Sequence, residues 1–291
     1  EASTQVTRYI PGRKAQAGAV LFAALSIATG VAQAAPWAGA VTSYAPGTTP
    51  VPGYTNPATA LGSPERFTGE NEFGGAFQAN VTMFNSVFGT DEAVSIGEGG
   101  HLTLELATPA TNNPSNLYGV DLILFGNAAF VSDSFPEAVM QPTAAVLGAG
   151  TGKIEVSPDG LNFFEIPGWT ADHLFPTQGY LDVDAFSDVP GSVPTNFFKP
   201  VNPALTLADF NGLTYAQALA LYDGSGGGTP IDIGLVGLNI VTHIRISVAD
   251  DLNAGTSLAT EIDAVAVVPE PATLAMLMIG CLLSNRRGRR S

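Results

Sequence analysis

Cysteine is nearly absent from this chain of 291 residues: the single one, Cys281, lies inside an apolar run near the C-terminal end. The rest of the chain can form no internal disulfide and offers no cysteine nucleophile, Cys-rich zinc site or haem attachment. Cys281 itself reads as a small apolar filler. Basic residues are scarce as well. Between 35 and 268 only Arg66, Lys153, Lys199 and Arg245 stand against 24 acidic residues, a net charge of −20. Such a surface repels nucleic acid and anionic lipid, so no nucleic-acid partner is expected. The three histidines, His101, His173 and His243, are far apart, and no H-x-H or H-E-x-x-H pairs them for zinc. No G-x-S-x-G supplies a nucleophile elbow. Ser225, within Gly224 to Gly228, lacks the Gly-Lys-Ser/Thr of a phosphate cradle and reads as a flexible turn. No internal repeat of convincing period is found, which argues against a propeller or solenoid.

Apolar residues are plentiful, at 45%, with 16 phenylalanines, so the acidic chain is expected to fold rather than to remain disordered. The pattern is β. Val94–Gly97 and His101–Ala107, separated by Glu98-Gly99-Gly100, read as a hairpin, with Leu102, Leu104 and Leu106 on one face. Val120–Phe125 is continuously apolar, as for a strand buried on both sides. Lys153–Ser157 and Asn162–Ile166 flank a Pro158-Asp159-Gly160 turn. His243–Val248 alternates, with Ile244, Ile246 and Val248 inward and His243, Arg245 and Ser247 outward, and Glu261–Val268 closes the domain. One helix is expected from an N-cap at Thr214 through Tyr222. Short strands, frequent Gly and Pro turns and little helix predict an all-β antiparallel β-sandwich, jelly-roll-like, with an Ig-like sandwich as the alternative. The boundaries read as 1–34 an N-terminal segment, 35–64 an irregular N-terminal arm, 65–268 the β-sandwich domain, and 269–291 a C-terminal segment.

The two ends carry the addresses. Arg8, Arg13 and Lys14 precede an apolar stretch, Gly18 to Val31, and Ala32-Gln33-Ala34 places small residues ahead of a cleavage site before Ala35. This is the layout of a secretory signal helix removed by signal peptidase. At the other end stand Pro269-Glu270-Pro271, then the uncharged run Ala272 to Leu283, then Arg286, Arg287, Arg289 and Arg290. An apolar segment with a dense positive flank inserts with that flank in the cytoplasm. The precursor is thus expected to be single-pass in the inner membrane, its Arg-rich C-terminus cytoplasmic. Twelve strictly apolar residues make about 18 Å of helix against a hydrocarbon core of about 30 Å, so this transmembrane helix needs its flanks and snorkelling arginines. Triplet, apolar run and arginine cluster together resemble the PEP-CTERM sorting signal of Gram-negative bacteria. The resemblance implies that exosortase, a membrane transpeptidase, recognises the signal, cuts near the triplet and passes the mature protein to the cell surface. Segments VSIGEGGHLTLEL, YGVDLILFGNAAF, KIEVSPDGLNFFEIPG, THIRISV and EIDAVAVVPEP also resemble uncharacterised PEP-CTERM surface proteins over most of 65 to 271. The S-x-D-G hairpin and the late R-I strand are loosely similar to carbohydrate-binding and discoidin-like jelly rolls.

Chemistry beyond the address is sparse. Asp182, Asp184 and Asp188 fall in a turn-rich stretch, and Asp250-Asp251 and Glu261-x-Asp263 are further acidic clusters. Convergent carboxylates suit calcium, which takes several oxygen ligands at about 2.4 Å, while a solvated acidic surface is the plainer reading of each. A calcium site joining two clusters would stabilise a disulfide-free exported fold by mass action. With 24 acids, glycosidase-like carboxylate pairs arise by chance. Trp37, Trp169, Phe163, Phe164, Tyr180 and Phe186 are candidates for a sugar-stacking platform or for core. The expected function is an exported, non-catalytic cell-surface or extracellular-matrix protein associated with exopolysaccharide. The alternative is an extracellular carbohydrate-active enzyme or carbohydrate-binding module.

Overall fold

A computed structural model describes residues 35–69, 79–250 and 258–270. The expected signal peptide with Ala32 and Ala34, Asp251, Pro271, the C-terminal transmembrane helix and Arg286, Arg287, Arg289 and Arg290 lie outside the described residues. No described helix is long and apolar enough to cross a membrane.

The described residues are mostly β, in antiparallel sheets with one α-helix. In chain order they form β1 (Ala38–Ala45), β2 (Val94–Ile96), β3 (His101–Thr111), β4 (Leu122–Gly126), β5 (Ala129–Phe130), β6 (Val146–Leu147), β7 (Gly152–Ser157), β8 (Phe164–Ala171), α1 (Tyr215–Tyr222), β9 (Thr229–Ile231), β10 (Ile240–Ser247) and β11 (Thr260–Val267). One sheet has the order β1-β3-β10-β7-β8, a second β2-β11-β4-β9, and β5 pairs with β6. Leu102, Leu104 and Leu106 of β3, Ile154 and Val156 of β7 and Ile244 and Ile246 of β10 pack in one core with Val94, Leu122, Leu124, Val265 and Val267 of the second sheet. The alternation in β3 and β10 thus places their aliphatic face between the sheets, where each fully buried Leu or Ile contributes roughly 1.5–3 kcal/mol.

The second sheet is buried on both faces. Ile123 and Phe125, on the side of β4 away from the main core, pack with Ala264 and Ala266 of β11 and with Phe197. That explains why β4 reads as an unbroken apolar run. A loop-rich layer containing α1 supplies another core, built on Phe84, Phe130, Phe175, Phe210 and Tyr222. The helix starts as its sequence predicts: Thr214 Oγ1 accepts from Gln217 N at 3.3 Å while Gln217 Oε1 accepts from Thr214 N at 2.9 Å.

The β7–β8 turn also follows its sequence. Ser157 Oγ accepts from Gly160 N at 2.9 Å, Asp159 Oδ1 accepts from Leu161 N and Asn162 N at 2.9 Å, and Gly160 has φ 72°. These bonds hold the Asp159 carboxyl far below the usual carboxylate range.

Two expectations are corrected. Val94–Gly97 and His101–Ala107 do not pair as a hairpin: β2 pairs with β11 and β3 with β1 and β10. Glu98-Gly99-Gly100 instead carries the chain from one sheet to the other. Gly97 and Gly100 are needed at this crossing because the 45–48 backbone passes so close: a Cβ on Gly97 would meet Thr48 O at 2.2 Å and one on Gly100 would meet Ala45 O at 2.7 Å. The stretch 35–64 is not wholly irregular either, since Ala38–Ala45 forms the edge strand β1. Its Ala- and Gly-rich sequence shows little alternation. It is fixed by partners remote in sequence, among them Tyr44 Oη donating to Ser95 O at 2.8 Å.

Candidate functional site

The last strand leads directly into the C-terminal signal. β11 lies between β2 and β4 and ends at Val267. Val267 N donates to Pro36 O at 2.8 Å and Val268 N to Asp121 O at 2.9 Å, so backbone pairing continues to the residue before Pro269. Glu270 then turns back onto the body, where Thr111 Oγ1 and Asn113 Nδ2 donate to its two carboxylate oxygens. Asn113 is positioned in turn by the buried Asp121, whose Oδ1 accepts from Asn113 N at 3.1 Å and from Asn116 Nδ2 at 3.1 Å; its Oδ2 accepts from Ile233 N at 3.2 Å. Burial pushes the Asp121 carboxyl up to about 6, against the lowering effect of these donors. The 112–121 loop therefore links a buried acid to the glutamate of the triplet, a connection invisible in the sequence spacing.

A second feature lies near the same end of the second sheet. Trp37 bridges to Ala266 of β11, and its ring sits 4.6 Å from that of Phe198. With Ser63, Arg66, Thr195, Asn196 and Phe197 these two rings line a cleft of about 190 Å³. The Arg66 guanidinium lies 4.0 Å over the Phe197 ring and 5.5 Å from that of Tyr180. Its Nη1 donates to Gly179 O and to Thr195 Oγ1, the latter at 3.3 Å, and its Nη2 donates to Thr195 O at 3.1 Å. Arg66 makes no ion pair among the described residues; the pairs there are Lys153–Glu165 at 2.8 Å and Lys199–Asp223 at 2.7 Å. Burial lowers the guanidinium's pKa.

The wall carrying Phe197 is locked by the glycine-rich loop. Asn196 N donates to Gly224 O at 3.0 Å and Gly226 N to Asn196 O at 3.0 Å, and a Cβ on Gly226 would meet Phe197 Cδ1 at 2.2 Å. Ser225 is fully buried, so the expected flexible turn at Gly224–Gly228 is corrected to a packed element. Its glycines admit close backbone approach, which composition alone does not distinguish from mobility.

The other aromatic candidates disperse. Trp169 packs on Phe175, with centroids 6.1 Å apart, and Phe186 lies 6.5 Å from Phe84, both in the loop-layer core. Phe163 lies beneath Arg245 at 3.5 Å and Phe164 is 40% exposed. Trp37 and Tyr180 alone of that set come to Arg66. The signal that would have found the cleft is Arg66, one of only two arginines amid 24 acids between 35 and 268, not the aromatic count.

The acidic candidates also separate. Among the described residues no three His, Cys, Asp or Glu side chains converge as a metal site. Asp182 staples its own loop, accepting from Val193 N at 2.9 Å and from Ser192 N at 3.0 Å, and the Ser192 hydroxyl is the main cause of its lowered pKa. Asp182 and Asp184 line an open cleft of about 520 Å³ with Tyr215 and Leu219, while Asp188 and Asp250 are exposed. Glu261 and Asp263 are not surface charges: they are 5% and 1% exposed, because β11 is a central, covered strand.

Ser95 Oγ donates to Glu261 Oε1 at 2.6 Å, and Asp263 accepts from Glu65 N at 3.2 Å where β11 bulges between Ile262 and Ala264. Asp172, which the sequence did not single out, accepts from Ala128 N at 2.7 Å and Glu261 N at 3.1 Å. Burial pushes Asp172 and Asp263 well above the usual carboxylate range, and the neighbouring carboxylates Glu261 and Glu65, respectively, add to it. These acids knit the end of β4 to β11, and none lines the Arg66 cleft. The histidines are likewise apart: His101 Nε2 meets Ser43 Oγ at 2.8 Å and His243 Nδ1 meets Thr242 Oγ1 at 2.8 Å.

No curated protein matches the chain. Residues 267–290 match the model of the PEP-CTERM protein-sorting motif. From the end of β11 onward, the chain thus carries a PEP-CTERM protein-sorting signal.

Proposed function

We propose that this chain is an exported, non-catalytic protein of the cell surface or extracellular matrix, a jelly-roll domain delivered by its C-terminal signal and associated with exopolysaccharide. The observation that carries the reading is the motif match at 267–290, which implies export and processing by exosortase. The strand order supports the jelly roll: taken from β2, the chain crosses between the two sheets except at the β7–β8 hairpin, places its last strand beside its first in β2-β11-β4-β9, and builds the opposing β3-β10-β7-β8. Removal of 1–34 by signal peptidase and a single-pass precursor with Arg286, Arg287, Arg289 and Arg290 in the cytoplasm complete the reading. In support of the non-catalytic role, none of the perturbed carboxylates Asp172, Glu261 and Asp263 lines the aromatic cleft at Arg66.

The test is intact mass of protein recovered from cells and medium, beside Pro269→Ala and a variant with the four tail arginines changed to Gln. Loss of 1–34 with a cut close to Pro269, blocked in both variants, is the expected result. A mature chain still ending at Ser291 would withdraw the sorting reading.

A further inference from the structure

We infer that the cleft between Trp37, Phe198 and Arg66 is a binding site for a single carboxylate-bearing sugar ring. Two observations meet there. Arg66 is fixed before any ligand arrives, because Nη1 and Nη2 are held by Gly179 O and Thr195 and the guanidinium plane lies over Phe197. Those contacts leave Nε–H and one Nη2–H without an acceptor among the described residues. Nε and Nη2 together form the fork that matches a carboxylate with two parallel bonds. The second observation is the wall: Trp37 and Phe198 are half-buried and pack on each other, offering aromatic surface of the kind on which the C–H face of a pyranose rests.

Size and charge narrow the ligand further. A cleft of about 190 Å³ falls below the roughly 300–1,000 Å³ of sites for drug-sized molecules and suits one ring. A single arginine in the cleft, set in a stretch of net charge −20, favours a monoanion over phosphate or a polyanion, which an acidic surface repels. The polar lining of Ser63 and Asn196, both exposed, stands at the mouth for ring hydroxyls. This inference rests on the carbohydrate reading above for the ring and on Arg66 for the carboxylate.

The experiment is Trp37 fluorescence of the full-length protein in detergent, in a Trp169→Phe background that leaves one tryptophan. D-glucuronate, D-glucose, acetate and inorganic phosphate are titrated separately. Glucuronate is expected to give a saturable change. Glucose and acetate should bind about tenfold or more weakly, since each lacks one half of the site, and phosphate should not compete.

Ser63→Phe, which fills the cleft and removes no hydrogen bond of the fold, is expected to abolish the change; Arg66→Lys weakens it about tenfold with the circular dichroism unaltered. Absence of a saturable response to glucuronate overturns the inference, and so do equal affinities for glucose or an unaffected Ser63→Phe protein. Retention of Ser63→Phe on the producing cells' polysaccharide would leave the association reading standing while this inference fails. Glucuronate binding without such retention would do the reverse.

Discussion

Replacement of Asp121 by Asn should cost the protein more stability at acid pH than at neutral pH. Asp121 is 1% exposed, and burial holds its carboxyl at about 6, against an ordinary 3.8. A carboxyl with a raised folded-state pKa binds its proton more tightly in the folded chain. Its contribution is therefore fully present below about pH 4 and is lost as pH rises through about 6. Integrated between pH 4.5 and 7.5, the difference in proton binding amounts to about 2 kcal/mol. For a domain of this size that is roughly 4–8 °C in Tm.

Asparagine cannot titrate. It also presents an NH2 group to one of the donors Asn113 N, Asn116 Nδ2 and Ile233 N, a pH-independent loss of about 1 kcal/mol. Wild type and variant are to be melted in parallel at both pH values. Asp172 and Asp263 titrate in the same direction in both proteins and cancel in the comparison. The variant should lose about 2 kcal/mol more, relative to wild type, at pH 4.5 than at 7.5. A difference that is the same at both pH values refutes the argument.

Thr111→Val with Asn113→Ala should free Glu270 and speed removal of the C-terminal signal several-fold, within about a factor of ten for one exposed and one half-buried bond to a charged acceptor, as read by pulse-chase; an unchanged rate would show that docking does not limit processing. Leu104→Ala, at a fully buried position between the sheets, is expected to cost about 2–5 kcal/mol in urea unfolding, and a cost below 1 kcal/mol would contradict the placement of β3. Gly228→Ala forces a side chain onto φ 85° and brings its Cβ to 2.5 Å from Ile123 Cγ2, so it should destabilise by about 1–3 kcal/mol and disturb the wall behind Phe197, measured by melting temperature.

Features whose causes are local were legible in the amino-acid order. The alternation of β3 and β10, the unbroken run of β4, the Pro158–Gly160 turn and the Thr214 N-cap each rest on neighbours within a few residues, and the structure agrees with all of them. The sorting signal was legible for the same reason: triplet, apolar run and arginines lie within 23 consecutive residues.

Tertiary structure decided what depends on which remote segments meet. Glu98-Gly99-Gly100 looks like a hairpin turn, but strand exchange between sheets makes it a crossing. Glu261 and Asp263 look like surface acids, but covering both faces of β11 buries them against backbone N–H groups and Ser95. The cleft joins Trp37 and Arg66 to Phe197, more than a hundred residues away from either, and Asn113 finds Glu270 across 157. Periodicity carries the energy of forming an element, whereas a site is made by packing elements together, and that energy is written only in the contacts between them.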